Sequence, residues 1–206
     1  MDYLVVDFEF TFYKKSVGRP RTFFSEIIEI GAVKFIGDSL KQKCKLQNFV
    51  QPKFFPRHAG DAMEFCMITP RDMESAIAFP KMLKKLSSLY EENKTFFVAW
   101  GTSDYKVLDQ CCYKHKLPNP ILKEDYLDLA EAYRLWKGVE NTPGLKTAVS
   151  DFGLDADGLA HTALDDAINT GKILQKLIEN GWTYESYIKA REEWLEAQLF
   201  RKNKTA

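Results

Sequence analysis

Residues 3–10 read Tyr-Leu-Val-Val-Asp-Phe-Glu-Phe. A short run this rich in β-branched and aromatic side chains predicts a buried strand. Two carboxylates, Asp7 and Glu9, stand inside it, two positions apart. Side chains alternate along a strand, so both leave the same face. Like charges crowded at the end of a buried strand repel each other and resist desolvation. Something must compensate them, and a divalent cation does so directly. Hard Mg²⁺ or Mn²⁺ prefers carboxylate oxygen and keeps water or phosphate as its other ligands. A solvated acidic edge is the plainer alternative, and this pair alone does not choose between them.

The rest of the 206-residue chain supplies a frame for that strand. Ile27–Ile36 predicts a second strand, with Gly31 as a bulge or a close approach. Gly37-Asp38 predicts a turn, and Lys43–Val50 a third strand, together an antiparallel meander. Thr69-Pro70 marks a helix start. Apolar spacing over Pro80–Asn93 predicts a helix. The apolar run Thr95–Trp100 predicts a central strand, and Ser103 caps a helix reaching about Lys116. A short strand falls at 126–129, with helices at 129–136, 145–152 and 160–180. A last helix, 183–201, puts Tyr184, Tyr187, Ile188, Trp194, Leu195 and Leu199 on one stripe. Three strands followed by alternating helices and strands specify an α/β fold, with a mixed five-stranded sheet flanked by helices.

Two further acid-bearing motifs follow. Trp100-Gly-Thr-Ser-Asp104 places Asp104 just past the C-terminal end of a strand, where ligand sites in α/β sheets gather. Helix-dipole complementation is its bland alternative. His161-Thr-Ala-Leu-Asp165-Asp166 opens the long helix. Asp165 and Asp166 are rotated by about 100° from each other, so they cannot serve one site equally. A neutral histidine, with an ordinary pKa near ~6.5, suits general-base work.

In this order, D-x-E, then D, then H-x-x-x-x-D, the chain resembles the DEDDh (DnaQ-like) 3′→5′ exonucleases on the ribonuclease H-like fold, from Tyr3 to about Gly181. Asp7-Phe-Glu9-Phe-Thr, Glu26-Ile-Ile-Glu-Ile-Gly-Ala-Val, Phe65-Cys-Met-Ile-Thr, Trp100-Gly-Thr-Ser-Asp104 and His161-Thr-Ala-Leu-Asp-Asp166-Ala are similar to the enhanced-RNAi-type exoribonuclease branch. That branch includes the sporulation-pathway inhibitor exonucleases of bacilli. The resemblance implies an exonuclease domain over 1–181 and a C-terminal helical extension over 182–206 packed on it.

The resemblance also implies roles. Asp7 would bridge two Mg²⁺ (or Mn²⁺) ions, Glu9 and Asp166 would complete the first, and Asp104 would hold the second. His161 would take a proton from the attacking water, while Asp165 would support the helix. Nucleoside 5′-monophosphates would leave single-stranded 3′ ends, of RNA more than DNA. Backbone groups at Phe10 and Thr11 would grip the terminal nucleotide, with Phe65, Met67 and Ile68 as a wedge against its base. Lys14, Lys15, Arg19 and Arg21 would guide phosphates or form a solvated loop.

Two other functions compete: DNA proofreading or repair trimming by the same chemistry, and a catalytically silent regulatory binding protein. Lys+Arg 29 against Asp+Glu 29 excludes coating of nucleic acid by bulk charge. Cys44, Cys66, Cys111 and Cys112 lack zinc or disulfide-framework spacing. No stretch is long and apolar enough for a membrane span, and the start lacks signal-peptide features, so the expected location is cytoplasmic. His58 and His115 are expected at the surface, without partners.

Overall fold

The computed structural model describes residues 1–206 except Lys15, Ser16, Asp38, Ala160 and Ala206, and describes the side chains up to Arg201. Lys15 of the basic run, Asp38 of the expected turn and Ala160 at the expected helix start therefore lie outside the described residues. In chain order the elements are β1 (Asp2–Phe10), β2 (Ile27–Ile36), β3 (Lys41–Gln51), α1 (Gly60–Phe65), α2 (Pro70–Glu74), β4 (Ile77–Ala78), α3 (Phe79–Ser87), β5 (Thr95–Ala99), α4 (Ser103–His115), β6 (Tyr126–Asp128), α5 (Leu129–Lys137), α6 (Leu145–Asp151), α7 (Ala163–Glu179) and α8 (Tyr184–Thr205). A 3₁₀ turn, Pro56–His58, precedes α1.

The sheet runs β4-β3-β2-β1-β5-β6. β1, β2 and β3 form the expected antiparallel meander, and β5 and β6 add in parallel. Six strands replace the expected five because β4, two residues long, is too short to carry a period. Alternation sorts the β1 side chains. Leu4, Val6 and Phe8 face Met82, Leu86, Leu108 and Cys111 on the side of α3 and α4. Tyr3 and Val5 face Leu129, Ile173 and Leu174 on the side of α5 and α7. Asp7 and Glu9 share the odd-numbered face, so they emerge where α7 begins.

Gly31 fixes that helix against the sheet. A Cβ built there would lie 2.1 Å from the Ala163 carbonyl carbon. Of the two readings of Gly31, close approach holds: α7 rests on the bare backbone of β2, opposite Asp7 in the register.

Several expectations are corrected. The helix over 80–93 stops at Ser87 because the following turns are held from outside: the Lys34 ammonium donates to the Leu89 carbonyl at 2.7 Å, and Asp125 accepts from the Tyr90 hydroxyl and from Asn93 N. Thr102, not Ser103, occupies the N-cap of α4. His58 and His115 are half-buried and not bare on the surface. His115 stacks on Phe79, and His58 lies among Tyr13, Phe23 and Phe55. The α8 stripe is covered only in part. Tyr187 donates to Glu131 at 2.6 Å and Arg134 lies over Trp194, while Leu195 and Leu199 stay exposed. Among the described residues no helix is long and apolar enough to cross a membrane.

Glu26 anchors the segment between β3 and α1. Its buried carboxylate accepts the backbone N–H groups of Lys53, Phe54 and Phe55 at 2.7–3.1 Å. Glu26→Ala leaves three donors without this acceptor, and thermal denaturation should report a loss of about 3 kcal/mol.

Candidate active site

Three elements deliver the four acids. β1 carries Asp7 and Glu9. β1 runs past its last β5 partner, Val5, which leaves the Phe8 N–H beyond the parallel ladder. Asp104, in the first turn of α4, takes that N–H at 2.9 Å and is itself buried. This contact joins residues 96 apart in sequence and pins α4 beside β1. The first turn of α7 supplies Asp166, whose Oδ2 accepts the His161 backbone N–H at 3.0 Å. His161 has a left-handed backbone, φ 66°, a conformation that costs about 1–2 kcal/mol in a residue with a Cβ. Its ring lies 4.4 Å from that of Phe65, centroid to centroid.

The groups converge. Ligand atoms of Glu9, His161 and Asp166 lie within 4.8 Å of one another. Burial raises the Asp7 pKa well above the carboxylate range, and the charges of Asp104, Glu9, Asp166 and Glu29 raise it further. Burial likewise pushes Asp104 up to about 7, against the pull of the Phe8 N–H. Glu9 and Asp166 are raised by burial too. Among the described residues no lysine or arginine pairs with any of these four acids.

The structure also places the accessory residues. Asp165 accepts the Leu159 N–H at 3.1 Å and sits against Gly158, so it braces the loop before α7. Phe65 and Met67 are each 54% exposed, and Phe65 lies against His161. Ile68 is buried with Ile28, Ala62 and Cys66, so its side chain presents no surface to a base. Thr11 is fully buried, and its hydroxyl accepts the Glu26 N–H at 2.9 Å, so that oxygen is already engaged. Phe10 is half-buried and packs against the α3–α4 side of the core.

Two residues that carry weight here received no role from the sequence. Glu29 pairs across from Glu9. It accepts the Ala163 N–H at 3.3 Å and the Gln47 amide at 2.7 Å, which fixes the first free donor of α7. Cys66 donates its thiol to Glu9 at 2.9 Å. Burial and that carboxylate raise the thiol pKa, so it stays protonated and able to donate. Glu29 belongs to a strand pattern, and nothing in that pattern says what a buried acid will accept. The Cys66 contact spans 57 positions and has no local signal.

A strand-borne D-x-E pair, a helix-borne aspartate and a His-Asp helix start, assembled on this sheet, define a nuclease of the DEDDh type. Residues 4–174 match the exonuclease family RNase_T, well over half the chain, so the chain belongs to that family and is a 3′→5′ exonuclease, a hydrolase of phosphodiester bonds. It is 34% identical over 181 residues to the probable 3′-5′ exonuclease KapD of Bacillus subtilis (strain 168), covering 88% of this chain and 86% of that one. It is 28% identical over 193 residues to 3′-5′ exoribonuclease 1 of Rattus norvegicus, covering 87% of this chain and 54% of that one, about half the rat protein's length. In three dimensions it is similar to the nuclease domain of 3′hExo, a DEDDh family member solved bound to rAMP. The TM-score is 0.75 at 26% identity, covering 87% of this chain and 92% of that domain.

Proposed function

We propose that the chain removes nucleoside 5′-monophosphates from single-stranded 3′ ends, RNA in preference to DNA, at a two-metal site. One observation carries this reading: ligand atoms of Glu9, His161 and Asp166 lie within 4.8 Å of one another, the charges of Glu9, Asp104 and Asp166 act on buried Asp7, and among the described residues no lysine or arginine pairs with any of the four carboxylates. The donor set fits Mg²⁺ or Mn²⁺, because it is all hard oxygen with one imidazole and is electrostatically unsatisfied as it stands. Asp7 would hold both ions, Glu9 and Asp166 one of them, and Asp104 the other. When bound, such ions activate water and stabilise the leaving 3′ oxygen.

The protein's own groups do the rest. The exposed His161 ring, steered by its backbone bond to Asp166 and by Phe65, accepts the proton of the attacking water. Phe65 and Met67 offer exposed apolar surface to the terminal base, and base–aromatic stacking of about 1–3 kcal/mol is indifferent to sequence. Preference for RNA is supported by the likeness to an exoribonuclease.

The test is digestion of 5′-labelled single-stranded RNA and its DNA counterpart with Mg²⁺, Mn²⁺ or EDTA. The expected result is a metal-dependent ladder shortening from the 3′ end, faster on RNA. His161→Ala should slow turnover about 10²–10⁴-fold, the usual contribution of a general base. Equal rates on RNA and DNA would remove the RNA preference, and undiminished cleavage in EDTA would remove the metal site.

A further inference from the structure

We propose that a cleft beside the catalytic face, lined by Phe12, Tyr13, Lys14, Arg57, His58 and Asp61, binds the second and third nucleotides of the single-stranded 3′ end. The proposal rests on the exonuclease reading above and extends it along the strand. The cavity measures about 280 Å³, room for the base of one of these nucleotides with the phosphates of both on the rim.

Its walls continue the elements that build the site. Phe12, Tyr13 and Lys14 follow the catalytic strand β1 directly. The opposite wall is the 3₁₀ turn Pro56–His58 and the start of α1, and α1 ends in Phe65. The rings connect the two places. The step from His161 to Phe65 is 4.4 Å and from Phe65 to Phe12 5.8 Å between centroids. At about 3.4 Å per stacked nucleotide, Phe12 stands within three nucleotides of the histidine.

Chemistry points the same way. Lys14 and Arg57 are exposed, and neither is ion-paired among the described residues. Asp61 is the cleft's one acid. The cleft thus reverses the sign of the carboxylate cluster next to it, which would otherwise repel phosphates. Tyr13 and His58 pack on each other, 5.6 Å centroid to centroid, and line the cleft as one aromatic wall.

The experiment measures fluorescence anisotropy of 5′-labelled RNAs of two, four and eight nucleotides with the same 3′ end, in Ca²⁺. Wild type should gain about 10-fold or more in affinity between two and four nucleotides. Lys14→Glu/Arg57→Glu should abolish that gain and make the salt dependence shallower, by about 0.7 per lost phosphate contact. Lys81→Glu/Lys189→Glu, with the same change in charge on other exposed positions, should keep the gain. A gain that survives in the Lys14/Arg57 variant, or disappears equally in the Lys81/Lys189 variant, overturns the cleft assignment. Wild type that binds none of the three RNAs overturns the exonuclease reading together with it.

Discussion

Asp7→Asn should cut exonuclease turnover by about 10³-fold or more while raising the melting temperature of the metal-free protein. The two effects have one origin. Asp7 is desolvated and faces Asp104, Glu9, Asp166 and Glu29, so its charge destabilises the fold unless a cation answers it. Asparagine keeps the shape and removes the charge. Relief of about 1–2 kcal/mol corresponds to about 2–8 °C in a domain of this size. Differential scanning calorimetry in EDTA, beside a steady-state assay in Mg²⁺, reads both. A variant that loses activity and stability together would make Asp7 a structural residue.

The same electrostatics set a pH dependence. In the unfolded chain Asp104 ionises near pH 4, and in the metal-free fold it keeps its proton to about pH 7. Between those values the folded state binds more protons than the unfolded one, so stability falls as pH rises through the window. The contribution is fully present below about pH 4. A divalent ion that binds only the folded protein adds about 2.7 kcal/mol at 100 times its Kd. Denaturant melts from pH 4 to 7.5 should slope downward in EDTA and less steeply in Mn²⁺.

Gly31→Ala carries the second large effect. Its new Cβ would meet the Ala163 and Leu164 backbone at 2.1–2.2 Å, a contact that only movement of α7 can relieve. Overpacking against backbone costs about 3 kcal/mol or more, or about 6–12 °C. The shift also carries Asp166 and His161 away from β1, and a displacement of about 1 Å in a positioned group costs roughly 10²-fold in rate. Gly144→Ala is the contrast, because a Cβ there meets nothing within 4 Å. It should stay within about 1 kcal/mol of wild type. Equal behaviour of the two variants in thermal melts would remove Gly31 as the seat of α7.

Much of this was legible in the chain because it is local. The period of two put Asp7 and Glu9 on one face, and turn residues set off the meander. Asp104 was readable as a residue just past a strand end. What the sequence hid depends on partners far along the chain. Glu29 reads as one more acid in a strand until Ala163 arrives above it, and Cys66 as a small buried thiol until Glu9 faces it. The helix expected through Asn93 has suitable spacing, yet Lys34 and Asp125 from other segments hold its last turns open. Ile68 sits in a motif beside the exposed Phe65 and Met67, but its own side chain is buried. α1 is six residues long and opens on Gly60, too little for a helical period, although it delivers Phe65 to the site.

Asp7, Glu9, Asp104 and Asp166 are proposed to hold divalent metal together. Anomalous diffraction from crystals soaked in Mn²⁺ and adenosine monophosphate tests it most directly. Manganese peaks should appear in contact with Asp7, with Glu9 and Asp166 completing one site, and be lost in Asp7→Asn. Manganese bound elsewhere, or persisting in that cluster after Asp7→Asn, would contradict it.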